Sequence, residues 1–104
     1  MKSTTKANFK DDVLVSKKIV LLDVWASWCG PCRAMEPIIE QVERETSDWV
    51  DVVKLNAVGE MEMAQELGVN GLPTFIVFKD GQPVASSSGM TNKANLLKLL
   101  SDAR

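Results

Sequence analysis

Apolar residues along this chain change period several times, and each change marks a predicted element. Phe9, Val13 and Leu14 fit one stripe of a helix with Thr5 as its candidate N-cap, with Asp11 and Asp12 on the wet side and an end near Ser16. Ile19-Val20-Leu21-Leu22-Asp23-Val24 is then a continuous apolar run, the pattern of a strand covered on both faces, and Asp23 is the anomaly within it. Met35, Ile38, Ile39 and Val42 recur at i, i+3, i+4 and i+7, which predicts a helix with one buried face reaching about Thr46. Pro37 inside that helix removes a backbone hydrogen bond and crowds the preceding turn, so a kink is expected there. Val50 to Leu55 supplies the next strand, and strand, helix and strand together suggest a βαβ unit, right-handed if the strands are parallel.

The second half of the chain follows different signals. Met61 to Leu67 predicts a short helix closed by Gly68, with Met61 and Met63 as gap-filling residues. Thr74 to Phe78 and Val84 to Ser88 are rich in β-formers and flank Asp80-Gly81, the dipeptide of a tight hairpin turn, so the two strands should pair antiparallel. A last helix from Asn92, with Thr91 as its N-cap, carries Leu96, Leu97 and Leu100 and can cover a sheet face. The fold class is therefore α/β with a mixed central sheet. No internal repeat, linker or low-complexity stretch divides the 104 residues, and 1–104 are expected to form a single domain.

Composition narrows the functional classes. Hydrophobic residues at 45% and charged residues at 25% match a soluble globular chain, and the formal net charge of -2 comes with no basic block that could track a phosphate backbone. No nucleic-acid partner is expected. The polar start Met1-Lys2-Ser3-Thr4-Thr5-Lys6 leads into no secretory signal, and the longest apolar runs fall far short of the roughly 18 residues that cross a membrane. A soluble cytoplasmic protein is expected, with no membrane partner, and a monomer, since no apolar stripe is left over for an obligate interface.

Only two cysteines are present, three positions apart in Trp28-Cys29-Gly30-Pro31-Cys32. They cannot staple a small secreted fold, and without His or further Cys they cannot complete a structural zinc site. Chemistry is the better reading. The motif lies between an apolar strand and an amphipathic helix, which puts Cys29 at a helix N-terminus, beside unpaired backbone N–H groups that stabilise a thiolate. Residues three apart in a helical turn have Cβ atoms about 5–6 Å apart, so a small adjustment closes a disulfide. Pro31 fixes one φ angle and makes that closure less unfavourable. The expected mechanism has Cys29 attack a target disulfide and Cys32 resolve the mixed disulfide, with Asp23 as candidate acceptor for the Cys32 proton.

The run Asp23-Val24-Trp25-Ala26-Ser27-Trp28-Cys29-Gly30-Pro31-Cys32 resembles the signature of the thioredoxin family. Val53-Lys54-Leu55-Asn56, Gly71-Leu72-Pro73-Thr74-Phe75, Phe78-Lys79-Asp80-Gly81 and Gly89 resemble further family segments in the same order. The resemblance implies a four-to-five-stranded mixed sheet flanked by four helices, and general protein-disulfide reduction with no bound cofactor. NADPH and FAD would act through a thioredoxin reductase that restores the dithiol. It also implies that Lys54 approaches Asp23, that Pro73 is a cis-proline facing the disulfide, and that the backbone of Leu72 pairs with the bound target chain. Trp28, Gly30, Pro31, Gly71, Leu72 and Gly89 would rim a shallow apolar groove for extended targets. Ribonucleotide reductase, peroxiredoxins and methionine sulfoxide reductases are the targets it suggests.

Two positions and one segment depart from the family pattern. Val24 stands where Phe is common, and Val58 where many members have an Asp that bonds the tryptophan corresponding to Trp25. Lys2 to Lys6 lacks the apolar alternation of a first strand, which is therefore expected to be short, frayed or absent. Two other functions are compatible with such a chain. One is a disulfide oxidant or isomerase, against which Gly30-Pro31 and the absence of an export signal argue. The other is a binding module that uses the groove without redox turnover.

Overall fold

The computed structural model describes residues 1–104, and every strand hydrogen-bonds into one five-stranded sheet. The strands are β1 (Lys2–Thr4), β2 (Ile19–Trp25), β3 (Val50–Asn56), β4 (Thr74–Lys79) and β5 (Gln82–Ser88), in the spatial order β1-β3-β2-β4-β5. Pairs β1/β3 and β2/β3 are parallel, whereas β2/β4 and β4/β5 are antiparallel, so the sheet is mixed as the sequence pattern implies. β2 is central, which explains why its run is apolar on both faces apart from Asp23: both of its faces are covered.

Successive strand residues point to opposite faces, and the helices divide accordingly. Val20, Leu22, Val24, Val53, Leu55, Ile76 and Phe78 face one way, where they pack with Phe9 and Val13 of the N-terminal helical turn and with Met63 and Ala64 of α2 (Met61–Glu66). Leu21, Val50, Val52, Phe75 and Val77 face the other way, against Met35, Ile39 and Val42 of α1 (Gly30–Thr46) and Leu96 and Leu100 of α3 (Lys93–Ala103). Full burial of each such side chain contributes about 1.5–3 kcal/mol. Val24, the departure from the family's Phe, is completely enclosed in the first layer.

The structure corrects several details. The N-terminal helix is a single π-helical turn over Lys10–Leu14, closed by a hydrogen bond from the Val15 N–H to the Lys10 carbonyl, and Thr5 does not cap it. Leu14 leaves the apolar stripe: its side chain is exposed, and its backbone carbonyl sits where a Cβ on Gly81 would lie, 2.8 Å away. The first strand exists but spans only three residues, held parallel to β3 by Lys2↔Val53 to Thr4↔Leu55, with Thr4 buried.

Turns and caps hold the remaining elements in place. Asp80 and Gly81 both have positive φ, 52° and 77°, as a two-residue hairpin of matching twist requires. The tight turn extends pairing to Lys79↔Gln82, so β5 begins two residues earlier than predicted, and a bulge beside Val77/Phe78 accommodates Pro83 on the edge strand. Gly68, at φ 80°, closes α2 with N–H bonds from Gly68 to Gln65 and from Val69 to Ala64, a Schellman arrangement. Asn92, one residue after the expected Thr91, caps α3: its side chain accepts from the Asn95 N–H at 2.8 Å. Helix α1 continues through Pro37.

Candidate active site

The carboxyl end of β2 delivers the chain directly into the cysteine motif. Cys29 has extended backbone angles, φ -87° and ψ 104°, and is the N-cap of α1, with Gly30 and Pro31 forming the first exposed helical positions. Its Sγ accepts the Cys32 N–H at 3.2 Å, so the side chain takes the capping role more often filled by Ser or Asp. Cys29 and Cys32 are joined as a disulfide with Cα atoms 5.3 Å apart, and both are buried. They pack with Ala26, Trp25 and Leu72. Opening the disulfide would leave Cys29 where the helix macrodipole and free N–H groups stabilise a negative sulfur, an effect worth up to about 1 kcal/mol.

The loop opposite the cysteines is pinned at three points. The Leu72–Pro73 peptide is cis. The Thr74 hydroxyl donates to the Gly71 carbonyl at 2.6 Å, and the Gly89 N–H donates to the Pro73 carbonyl at 2.7 Å. Gly89 adopts φ 84°, a left-handed conformation that a side chain would disfavour, so its contribution is made through its backbone.

The strand that leads into the motif carries an acid held in an apolar wall. Asp23 is only 5% exposed, on the sheet face that α1 covers, and pairs in register with Lys54 of β3 and Phe75 of β4. Burial pushes its carboxyl up from 3.8 to about 6; the Lys54 charge opposes that rise and the Glu36 charge reinforces it. Lys54 makes its ion pair with Glu36 of α1 at 2.8 Å rather than with Asp23, and its ammonium lies 4.2 Å from the centre of the Trp25 ring. Val58 is exposed and offers Trp25 no acceptor.

A groove of about 440 Å³ opens beside the disulfide, lined by Trp28, Gly71 and Leu72 together with Ala57, Val58, Gly59, Met61, Ala64, Gln65, Val69 and Asn70. Trp28, next to the nucleophile candidate, is 72% exposed. Gly30, Pro31 and Gly89 lie outside this lining. Met61 is a correction: it is 66% exposed and lines the groove, while Met63 alone fills the core. The signal was present, because residues two apart on a helix point to nearly opposite sides. Glu36 was also missed; its spacing of four from Cys32 places both on one face of α1.

Several known proteins are similar in sequence to most of this chain. The family model named Thioredoxin matches residues 1–102. A Mycobacterium bovis protein named thioredoxin is 46% identical over 98 residues, covering 94% of this chain and 84% of its own. Thioredoxin 1 of Synechococcus elongatus is 41% identical, covering 94% and 92%. A Mycobacterium leprae protein named bifunctional thioredoxin reductase/thioredoxin is 46% identical over 98 residues, which are 94% of this chain and 21% of that protein.

Proposed function

Because the chain belongs to the thioredoxin family and is a protein-disulfide oxidoreductase with a Cys-Gly-Pro-Cys centre, we propose a specific division of labour among its site residues. The observation that carries it is Cys29 at the N-cap of α1, its sulfur bonded to the Cys32 N–H. In the dithiol state the Cys29 thiolate attacks one sulfur of a target disulfide, forming a mixed disulfide and releasing the other target sulfur as thiolate. Cys32 then attacks Cys29, the target leaves as its second thiolate, and the Cys29–Cys32 disulfide forms. Two electrons pass from the protein to the target.

Resolution requires Cys32 to lose a proton. Asp23 accepts it: burial holds its carboxyl at about 6, high enough to take up a proton near neutrality. Because Cys32 is tethered three residues from Cys29, its attack is unimolecular and outruns escape of the trapped target. Lys54 tunes Asp23. Pro73 faces the disulfide, and the Leu72 backbone pairs with an extended target chain whose side chains rest on Trp28 and Gly71 beside Gly30, Pro31 and Gly89.

The dithiol is restored by a thioredoxin reductase drawing on NADPH and FAD. The Mycobacterium leprae relative, whose name joins both activities in one chain, supports that partner. Residues 1–104 act as a single cytoplasmic domain and as a monomer, on disulfide-containing targets of the kind formed by ribonucleotide reductase, peroxiredoxins and methionine sulfoxide reductases. No helix is long and apolar enough to cross a membrane.

The Cys32→Ser variant tests the assignment of roles. Incubated with a disulfide-containing protein, it should accumulate a covalent adduct through Cys29, detected by mass spectrometry and released by dithiothreitol. A stable adduct formed equally well by Cys29→Ser through Cys32, or undiminished turnover without Cys32, would overturn the division of labour.

A further inference from the structure

Glu36 stands four residues beyond Cys32, on the same side of α1, and its carboxylate holds the Lys54 ammonium at 2.8 Å. Lys54 is confined, with a side chain only 13% exposed and its cationic end 4.2 Å from the Trp25 ring centre. Yet the nearest carboxylate in strand register with Lys54 is Asp23, across the β2/β3 pair. No ion pair or hydrogen bond joins the two, so the lysine is drawn to the helix instead. We propose that Glu36 is a positioning residue for disulfide exchange: by anchoring Lys54 against α1 it withholds that cation from Asp23, which thereby stays able to take and hold the Cys32 proton.

The groups around Asp23 support this arrangement. β3 presents Lys54, α1 presents Glu36 and the Cys29–Cys32 pair, and β4 presents only the apolar Phe75. The Lys54 charge still opposes the rise, the Glu36 charge offsets part of that opposition, and burial remains the dominant influence on the carboxyl, in line with the elevation to about 6. An unpaired Lys54 would favour the charged carboxylate and make Asp23 a weaker base. Glu36 is suited to this part because its side chain, 45% exposed, reaches from the helix surface to a cation that is nearly buried.

The inference rests on Asp23 being the proton acceptor, and one set of measurements separates the two claims. The Asp23 carboxyl is titrated by carbon-13 NMR in the disulfide form, with the Asp23→Asn spectrum assigning its signal. Glu36→Gln should lower the midpoint by roughly one pH unit. Glu36→Asp, which keeps the charge, should restore part of the shift, and in a Lys54→Gln background the effect of Glu36→Gln should shrink. An unchanged midpoint in Glu36→Gln, or an effect of full size without Lys54, would overturn the proposal. The pH profile of mixed-disulfide resolution is then compared with these midpoints. If the midpoint moves and the rate profile does not, the electrostatic effect of Glu36 on Asp23 stands, whereas its part in disulfide exchange falls together with the acid–base role of Asp23.

Discussion

Two thiols, a buried acid and the Lys54–Glu36 ion pair make up the candidate site, and their placement decides what each can do. Cys29 sits at the first turn of α1, and Cys32 is held beside it by the same turn. Asp23, the acid proposed to accept the Cys32 proton, is buried in β2, the strand that leads into the motif. Replacing Asp23 by Asn should slow resolution of a mixed disulfide at pH 7 by roughly tenfold or more in stopped-flow measurements. The deficit should narrow as pH rises and solvent base takes over deprotonation of the Cys32 thiol. A pH-independent deficit would point to a structural effect instead. Asp23 was legible in the sequence because a carboxylate inside an apolar strand is conspicuous. Glu36 was not, because a Glu on an amphipathic helix reads as a solvated residue until the partner strand brings Lys54 against it.

Elements of this fold start and stop where backbone conformation, more than apolar pattern, dictates. The Asp80-Gly81 turn was readable from the dipeptide, but its second function was not: Gly81 also makes room for the carbonyl of Leu14, which no local signal foretells. Gly81→Ala should therefore destabilise the protein by about 2 kcal/mol or more in urea melts, through both left-handed strain and backbone collision. Gly68→Ala meets open space and should cost only about 1 kcal/mol, from its φ of 80° alone. Equal losses at the two positions would refute the collision. The long periodic helix α1 and the apolar strands β2 and β3 were legible because many residues report one period. The π-helical turn and β1 were not, since their form depends on packing and pairing with distant residues. At α3 two adjacent good caps competed, and only the folded geometry selects Asn92.

At the scale of the whole molecule, the sheet stores the site's cost in its central strand. Asp23 is raised from 3.8 to about 6 in the native state, so between those values the folded protein binds more protons than the unfolded chain. Its contribution to stability is therefore most favourable below pH 4, declines as pH rises to about 6, and levels off above it. The loss amounts to about 3 kcal/mol at pH 7. Asp23→Asn should accordingly be more stable than the parent at pH 7, by up to that amount, with the difference vanishing below pH 4; denaturant melts across this range would detect it. The parallel β2/α1/β3 unit was visible in the order of elements, as was the mixed sheet, whereas the side of the groove formed by Val58 and Met61 emerged only in the folded chain. The measurement that tests the account most directly is reduction of insulin disulfides by the purified protein, driven by NADPH and a thioredoxin reductase, beside Cys29→Ser and a dithiothreitol-driven control. The account predicts turnover that disappears in Cys29→Ser. Turnover surviving that substitution, or none with either reductant while the dithiol is intact, would contradict it.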